Sequence, residues 1–573
     1  SGRGLSFQDV SPEMMAGVDV YKNQTADMTE GGIGGTVSLR TRKPFDQEGM
    51  MTAFSAEATY GDLSEETKPT FSGLFSNRWE TSAGEFGFLI NAVKSEMVTE
   101  NHNIQSDAYK RYIPCWLPGA EAFVKTPAGV ECPKANPQTD AERAETTNYA
   151  THGEVWMPSA TNFLVKEDER TREGINTSFQ WKDLDDKFLV TTEYIRSNSQ
   201  LDWWEDAMKY QGGYKDSDRR IRPYGDSDFL FDDSGRFLYG QMSDGNGNWR
   251  ASGQAGHKVN GLWEELGAIR YPNSWSSIPT QRPQFGQKFQ VDTRGVTGET
   301  LVEDFSANLK WTPDDLWTIE LDAQHVAAET TNDDLVLHLA VAGLQEVDLR
   351  SSTPTMKLTE PWGGARDANR DKWLAYTNVP GFTNDPAGDS NYFTDPTSYW
   401  WRSGMSHYER SEGESDALRL DITRQFDDAG PLKGVKAGVR WADREQTVRS
   451  TSWGWGSVAP EFSEGALYID HTPGQADWVQ VNDWSNFHRG GVMNIEGGNK
   501  MLGIKRDVIT NIRDNRLCPG DVGFPERSAA GTYNPYHCLA GNDAEYGLFQ
   551  PSDIAITSET NKAAYVRFDF CFD

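Results

Sequence analysis

Residues 305–323 read Phe-Ser-Ala-Asn-Leu-Lys-Trp-Thr-Pro-Asp-Asp-Leu-Trp-Thr-Ile-Glu-Leu-Asp-Ala. Phe305, Ala307, Leu309 and Trp311 are apolar, and Ser306, Asn308, Lys310 and Thr312 between them are polar. After Pro313-Asp314 the alternation resumes: Trp317, Ile319, Leu321 and Ala323 against Thr318, Glu320, Asp322 and Gln324. Period two means a strand with one apolar and one polar face, so this stretch is a β-hairpin with a tight turn. The same pattern returns at Ile175–Trp181, Leu418–Phe426 and Val435–Trp441.

The connections alternate in length. Strands expected near 69–79 and 84–97, 171–182 and 186–200, 301–312 and 315–328, and 412–426 and 432–449 are joined by turns of a few residues. The gaps after 97, 200, 328 and 450 each run to about 70 residues or more, which a compact domain tolerates only for functional loops on a rigid scaffold. Short turns at one end and long loops at the other are the asymmetry of an outer-membrane barrel. Trp79, Trp181, Trp311 and Trp317 flank the short turns on the apolar face, where a membrane–water boundary favours amphipathic rings. A soluble β-sandwich with strand-end aromatics explains the alternation but not the one-sided loops.

Composition agrees. The chain has 573 residues, with 55 Lys and Arg against 86 Asp and Glu, a formal charge of −31. So acidic a chain does not bind nucleic acid, which needs clustered cations. No run of about 18 apolar residues offers a transmembrane helix, though strands need none. With aromatic residues at 12% the chain is not a disordered, solvating one. It opens at Ser1 without a leader, and Ala564–Phe570 reads as a strand in mid-course, so a longer parent chain is expected. Cys115 with Cys132, and Cys518 with Cys538, stand in polar loop stretches and read as two short-range disulfides of an oxidising compartment; the alternative is unpaired thiols. Cys571 is left over, as a packed thiol or an accident of the chain end. No CxxC or ligand-spaced His suggests zinc.

Residues 1–46 differ from the rest. Two short apolar segments, Val18-Asp19-Val20-Tyr21-Lys22 and Thr36-Val37-Ser38-Leu39, flank a polar stretch and the cluster Gly31-Gly32-Ile33-Gly34-Gly35. A phosphate-binding loop does not fit, because Thr36 follows Gly35 where Lys should stand. These segments, with Thr41-Arg42-Lys43-Pro44-Phe45-Asp46, resemble the end of the plug domain of TonB-dependent outer-membrane receptors. The resemblance implies a transmembrane β-barrel of about 22 strands with a plugged lumen. Here it would cover the plug's C-terminal part (1–46, with Gly31, Gly32, Gly34 and Gly35) and the first part of the barrel (47–573), about ten strands, without the TonB box. The expected fold is thus all-β: a partial antiparallel transmembrane barrel with a plug remnant. The resemblance also implies location in the Gram-negative outer membrane, a TonB energy-coupling complex, and contact with lipid and lipopolysaccharide. The phrasing of 3–5, 11–14 and 40–46 is similar to a proteobacterial branch associated with carbohydrate uptake.

The expected long loops are rich in Trp. Trp203, Trp204, Trp249, Trp263, Trp400, Trp401, Trp453 and Trp455, with Asp202, Arg250 and Arg402 beside them, are the candidate substrate-binding set. Indole faces stack on sugar C–H faces while charged neighbours bond hydroxyls. The alternative is that they pack loops together. An oligosaccharide is the expected nutrient; a ferric siderophore or other metal chelate is the second reading, and a secreted, soluble carbohydrate-binding or carbohydrate-active protein the third. Segment 229–240 reads as a hairpin turning at Ser234-Gly235. No catalytic constellation, metal set or cofactor motif emerges: Asp244–Asn248 lacks the later Gly and Glu of a calcium loop.

Overall fold

The computed structural model describes residues 11–29, 34–106, 109–112, 155–158, 160–211, 221–223, 229–244, 258–259, 262–263, 287–360, 392–426, 430–458, 467–469, 475–517 and 548–571. The fold is mostly β. A first hairpin pairs β1 (Met15–Tyr21) with β2 (Thr36–Thr41). One large antiparallel sheet then takes ten strands in chain order. They are β3 (Met51–Tyr60), β4 (Thr67–Thr81), β5 (Gly84–Ser106), β6 (Ala160–Lys182), β7 (Phe188–Gln211), β8 (Gln287–Asp314), β9 (Trp317–Asp348), β10 (Tyr399–Gln425), β11 (Leu432–Ser450) and β12 (Ile554–Phe570). One α-helix, α1 (Arg506–Asp514), stands among the described residues. Three of the expected short turns, near 80–83, 183–187 and 313–316, fall where the alternation placed them; in the fourth, residues 427–429 lie outside the described residues. The 229–240 hairpin pairs Leu230–Phe231 with Phe237–Asp244.

The strands are longer than the alternation suggested. β9 runs 32 residues and β8 runs 28, about three times the 9–11 that cross a bilayer. Their turn-proximal ends keep the two-faced pattern. Cross-strand partners share a face, and register carries one apolar rung across nine strands: Trp79, Phe86, Trp181, Val190, Leu309, Leu321, Leu420, Val439 and Ala564. This face is open to the surroundings near the turns, with Phe54 75%, Phe305 51%, Val439 52% and Phe568 56% exposed. The four turn-flanking Trp lie on it. Trp79 stacks on Phe86 at 6.3 Å, Trp311 on Phe188 at 5.8 Å, and the Trp181 indole N–H donates to the Ala83 carbonyl at 2.9 Å.

Farther from the turns the apolar face is covered. Segment 475–517, with α1, lays Phe487, Met501, Leu502, Ile504 and Ile509 on Phe163, Met208, Phe289, Val291, Leu335, Leu337, Leu339 and Val341. Each such buried side chain contributes about 1.5–3 kcal/mol. Polar links fix the cover: the Ile504 N–H donates to the Thr293 hydroxyl at 3.0 Å and the Leu502 N–H to the Tyr399 hydroxyl at 3.2 Å.

Residues 11–29 and 34–46 pack on the opposite, polar face. Met14 is fully buried, and a Cβ at Gly174 would meet its sulfur. The Asn91 amide donates to the Glu13 carbonyl at 2.9 Å, the Phe45 N–H to Gln180 at 2.8 Å, and the Thr41 hydroxyl to Glu193. Arg78 lies 4.7 Å over the Phe45 ring. These contacts sit on β4–β7. The loop between β1 and β2 extends along the same polar face to β11 and β12, where Asp27 meets Arg567 at 2.8 Å and Lys436 at 3.3 Å. Gly35 takes φ +128°, and a Cβ there would stand 2.6 Å from the Tyr21 carbonyl, so this member of the glycine cluster permits the close return of the chain. Gly34 meets no such neighbour; Gly31 and Gly32 lie outside the described residues. Cys115, Cys132, Cys518 and Cys538 also lie outside them. Cys571 is exposed, not packed, because β12 ends there at the turn-proximal rim.

Candidate ligand-binding site on the polar face

Three adjacent rungs on the polar face, far from the tight turns, gather charged and aromatic side chains. The first runs Asp168, Trp203, Val296, Asp334, His407 across β6–β10. The second runs Lys166, Glu205, Arg294, Val336, Met405 and on to Trp455. The third includes Asp292, His338 and Ser403. Unbroken register from Leu309 to Phe289 along β7 and β8 places these residues on the face that also holds residues 11–29 and 34–46.

The rings and cations form a ladder. Lys166 Nζ lies 4.4 Å over the Trp203 ring and the Arg294 guanidinium 4.6 Å over it. Arg294 also lies 5.2 Å from the Trp453 ring, and Trp453 stacks on His407 at 4.5 Å and 17°. Cations over indole gain about 0.5–2 kcal/mol each, so the ladder holds its rings in fixed planes. Trp453 and Trp455 are 48% and 49% exposed, leaving apolar ring surface for a ligand.

Each cation has a carboxylate. Arg294 pairs with Asp334 through two nitrogens, its Nε at 2.9 Å; Lys166 pairs with Asp168 at 2.7 Å; Lys209 pairs with Asp292 at 2.7 Å and Glu205 at 3.6 Å. Asp292 also meets His338 Nδ1 at 2.6 Å. Burial alone would raise the Asp292 carboxyl, but the His338 imidazole and the Lys209 ammonium outweigh it and hold it below the usual carboxylate range. Planar guanidinium, ammonium, carboxylate and half-open indoles together suit a polyol that both donates and accepts hydrogen bonds.

The sequence-selected set divides. Trp203, Trp453 and Trp455 come together here. Trp204 does not: adjacent strand residues point to opposite faces, so it packs toward Ile509, under Arg506 at 5.3 Å, and a Cβ at Gly295 would collide with its ring. Asp202 shares the Trp204 face and accepts from Thr297. Trp400 and Trp401 are 1% and 0% exposed and pack in two separate clusters, so neither presents a ring to a ligand; Arg402, which follows them, is 4% exposed. The expectation that these residues stand in open loops is corrected: Asp202, Trp203 and Trp204 lie on β7, and Trp400, Trp401 and Arg402 on β10. Trp263 stands in a two-residue strand, Leu262–Trp263; Trp249 and Arg250 lie outside the described residues.

Arg294, Lys166, Asp334, Asp292 and His338 were not singled out from sequence. The alternation Phe289, Val291 against Gln290, Asp292, Arg294 carries the signal, but only register joins it to Trp203. Among the described residues no His, Cys, Asp or Glu group could hold a metal ion. A scan against protein-family models matches none, and a search of curated proteins returns no match.

Proposed function

We propose that this chain is part of a TonB-dependent outer-membrane importer that takes up an oligosaccharide. The large sheet is then a portion of a closed barrel, residues 11–46 belong to the plug, and the ladder on the polar face faces the lumen near the outer mouth. The observation that carries the reading is the rung from Trp79 to Val439: apolar, partly exposed, beside the short turns, and backed by a polar face that holds the N-terminal segment. A soluble protein rarely leaves so continuous an apolar band in water, whereas lipid requires one. Closure follows from the need to pair every backbone group in hydrocarbon. Uphill uptake would need the TonB complex; the resemblance, not a residue of this chain, supplies that partner.

The test is fractionation with uptake. Expressed with its native leader, the protein should enter the outer membrane, migrate faster unheated than boiled in detergent gels, and support uptake of labelled oligosaccharide only while the inner membrane is energised. A detergent-independent soluble protein would refute the reading.

A further inference from the structure

We infer that the ladder accepts an uncharged saccharide, and that Asp334, by occupying Arg294, turns anionic ones away. The inference rests on the import reading above and narrows its substrate.

Two observations carry it. All three cations, Lys166, Lys209 and Arg294, already hold carboxylates, and Glu205 and Asp292 share Lys209. With four carboxylates to three cations, a uronate arriving at the ladder meets no uncompensated positive charge. Geometry adds the second point: the Arg294 side chain is 23% exposed and the Asp334 side chain 2%. The carboxylate sits beneath the guanidinium, and a ligand anion could claim Arg294 only by leaving Asp334 buried without its partner, which is strongly unfavourable. A hydroxyl needs no such exchange, since it can accept from an outward N–H while donating to a carboxylate.

Calorimetry on the detergent-solubilised full chain at low salt tests this with matched probes: gluco-, galacto- and manno-hexasaccharides, and the corresponding glucurono-, galacturono- and mannurono-hexamers. At least one neutral hexamer should bind the protein, and the uronate counterpart of each that binds should bind at least about tenfold more weakly, a difference of about 1.4 kcal/mol. Asp334→Asn, if it keeps the heat-modifiable fold, should raise uronate affinity about tenfold. If the variant misfolds, the wild-type comparison decides alone. A uronate that binds wild type as tightly as its neutral counterpart overturns the charge inference and leaves the saccharide reading standing. A folded Asp334→Asn without uronate gain overturns the role of Asp334. Absence of binding to every hexamer overturns the saccharide reading and this inference with it.

Discussion

Replacing Leu309 by arginine puts a charge on the apolar rung between Val190 and Leu321. Leu309 stands five residues before Asp314, at the tight turn. At about 3.3 Å per residue that is about 16 Å along the strand, and about 12 Å in height at a barrel tilt near 40°. An apolar band about 25 Å tall then has Leu309 near its middle, where arginine costs about 2–4 kcal/mol and falls to about 0–1 near either interface. The neighbouring Asn308 is the control. It faces the other way, with its amide 2.6 Å from Asp322, so Asn308→Arg should change stability by less than about 0.5 kcal/mol. Urea titration of the protein folded into vesicles, read by tryptophan fluorescence, measures both. Equal small effects would refute the assignment of that face to lipid, since an exposed leucine in water tolerates arginine.

Trp203→Ala and Trp453→Ala should each weaken oligosaccharide binding by about tenfold, as loss of a stacking ring costs about 1–1.5 kcal/mol; calorimetry checks this. Trp204→Ala should instead leave affinity unchanged and lower stability by about 2–4 kcal/mol through the lost packing on Ile509, read in the urea titration. For Asp27, burial favours the neutral acid, yet the Thr25 hydroxyl and the Arg567 guanidinium prevail and hold the carboxyl well below the usual range. A carboxyl depressed on folding stabilises above its unfolded pKa of about 3.9 and loses that contribution only as pH falls through the folded value. The tether of residues 11–46 to β11 and β12 should therefore persist at pH 5, whereas Asp27→Asn should release it at any pH. Limited proteolysis of the 22–35 loop reports both, and unchanged cleavage in the variant would refute the tether.

Ser306, Asn308 and Lys310 against Phe305, Leu309 and Trp311 made the two-faced strands legible, because at the turn-proximal ends one face is apolar and open while the other is polar. The far ends were not legible for a physical reason. Residues 335–344 read Leu-Val-Leu-His-Leu-Ala-Val-Ala-Gly-Leu, and both faces there are buried, so the alternation that marks a strand is lost and the segment passes for loop. The doublets Trp203-Trp204 and Trp400-Trp401 misled for a related reason. Neighbours in sequence look like one patch, but on a strand they face opposite ways, and one member of the first doublet reaches the ladder while the other joins the core. Arg294 and Asp334 are 40 residues apart and meet only through the β8–β9 register. The contact of Asp27 with Arg567 spans 540 positions and has no local signature at all.

The central claim is that the apolar face near the short turns meets lipid while its reverse meets water and the N-terminal segment. Spin labels placed singly at 303–312 in vesicles, with oxygen and a water-soluble nickel chelate as relaxation agents, test it directly. The account predicts strict alternation, with labels at 305, 307, 309 and 311 reached by oxygen and shielded from nickel, and labels at 306, 308 and 310 the reverse. Nickel access at both sets alike would contradict it.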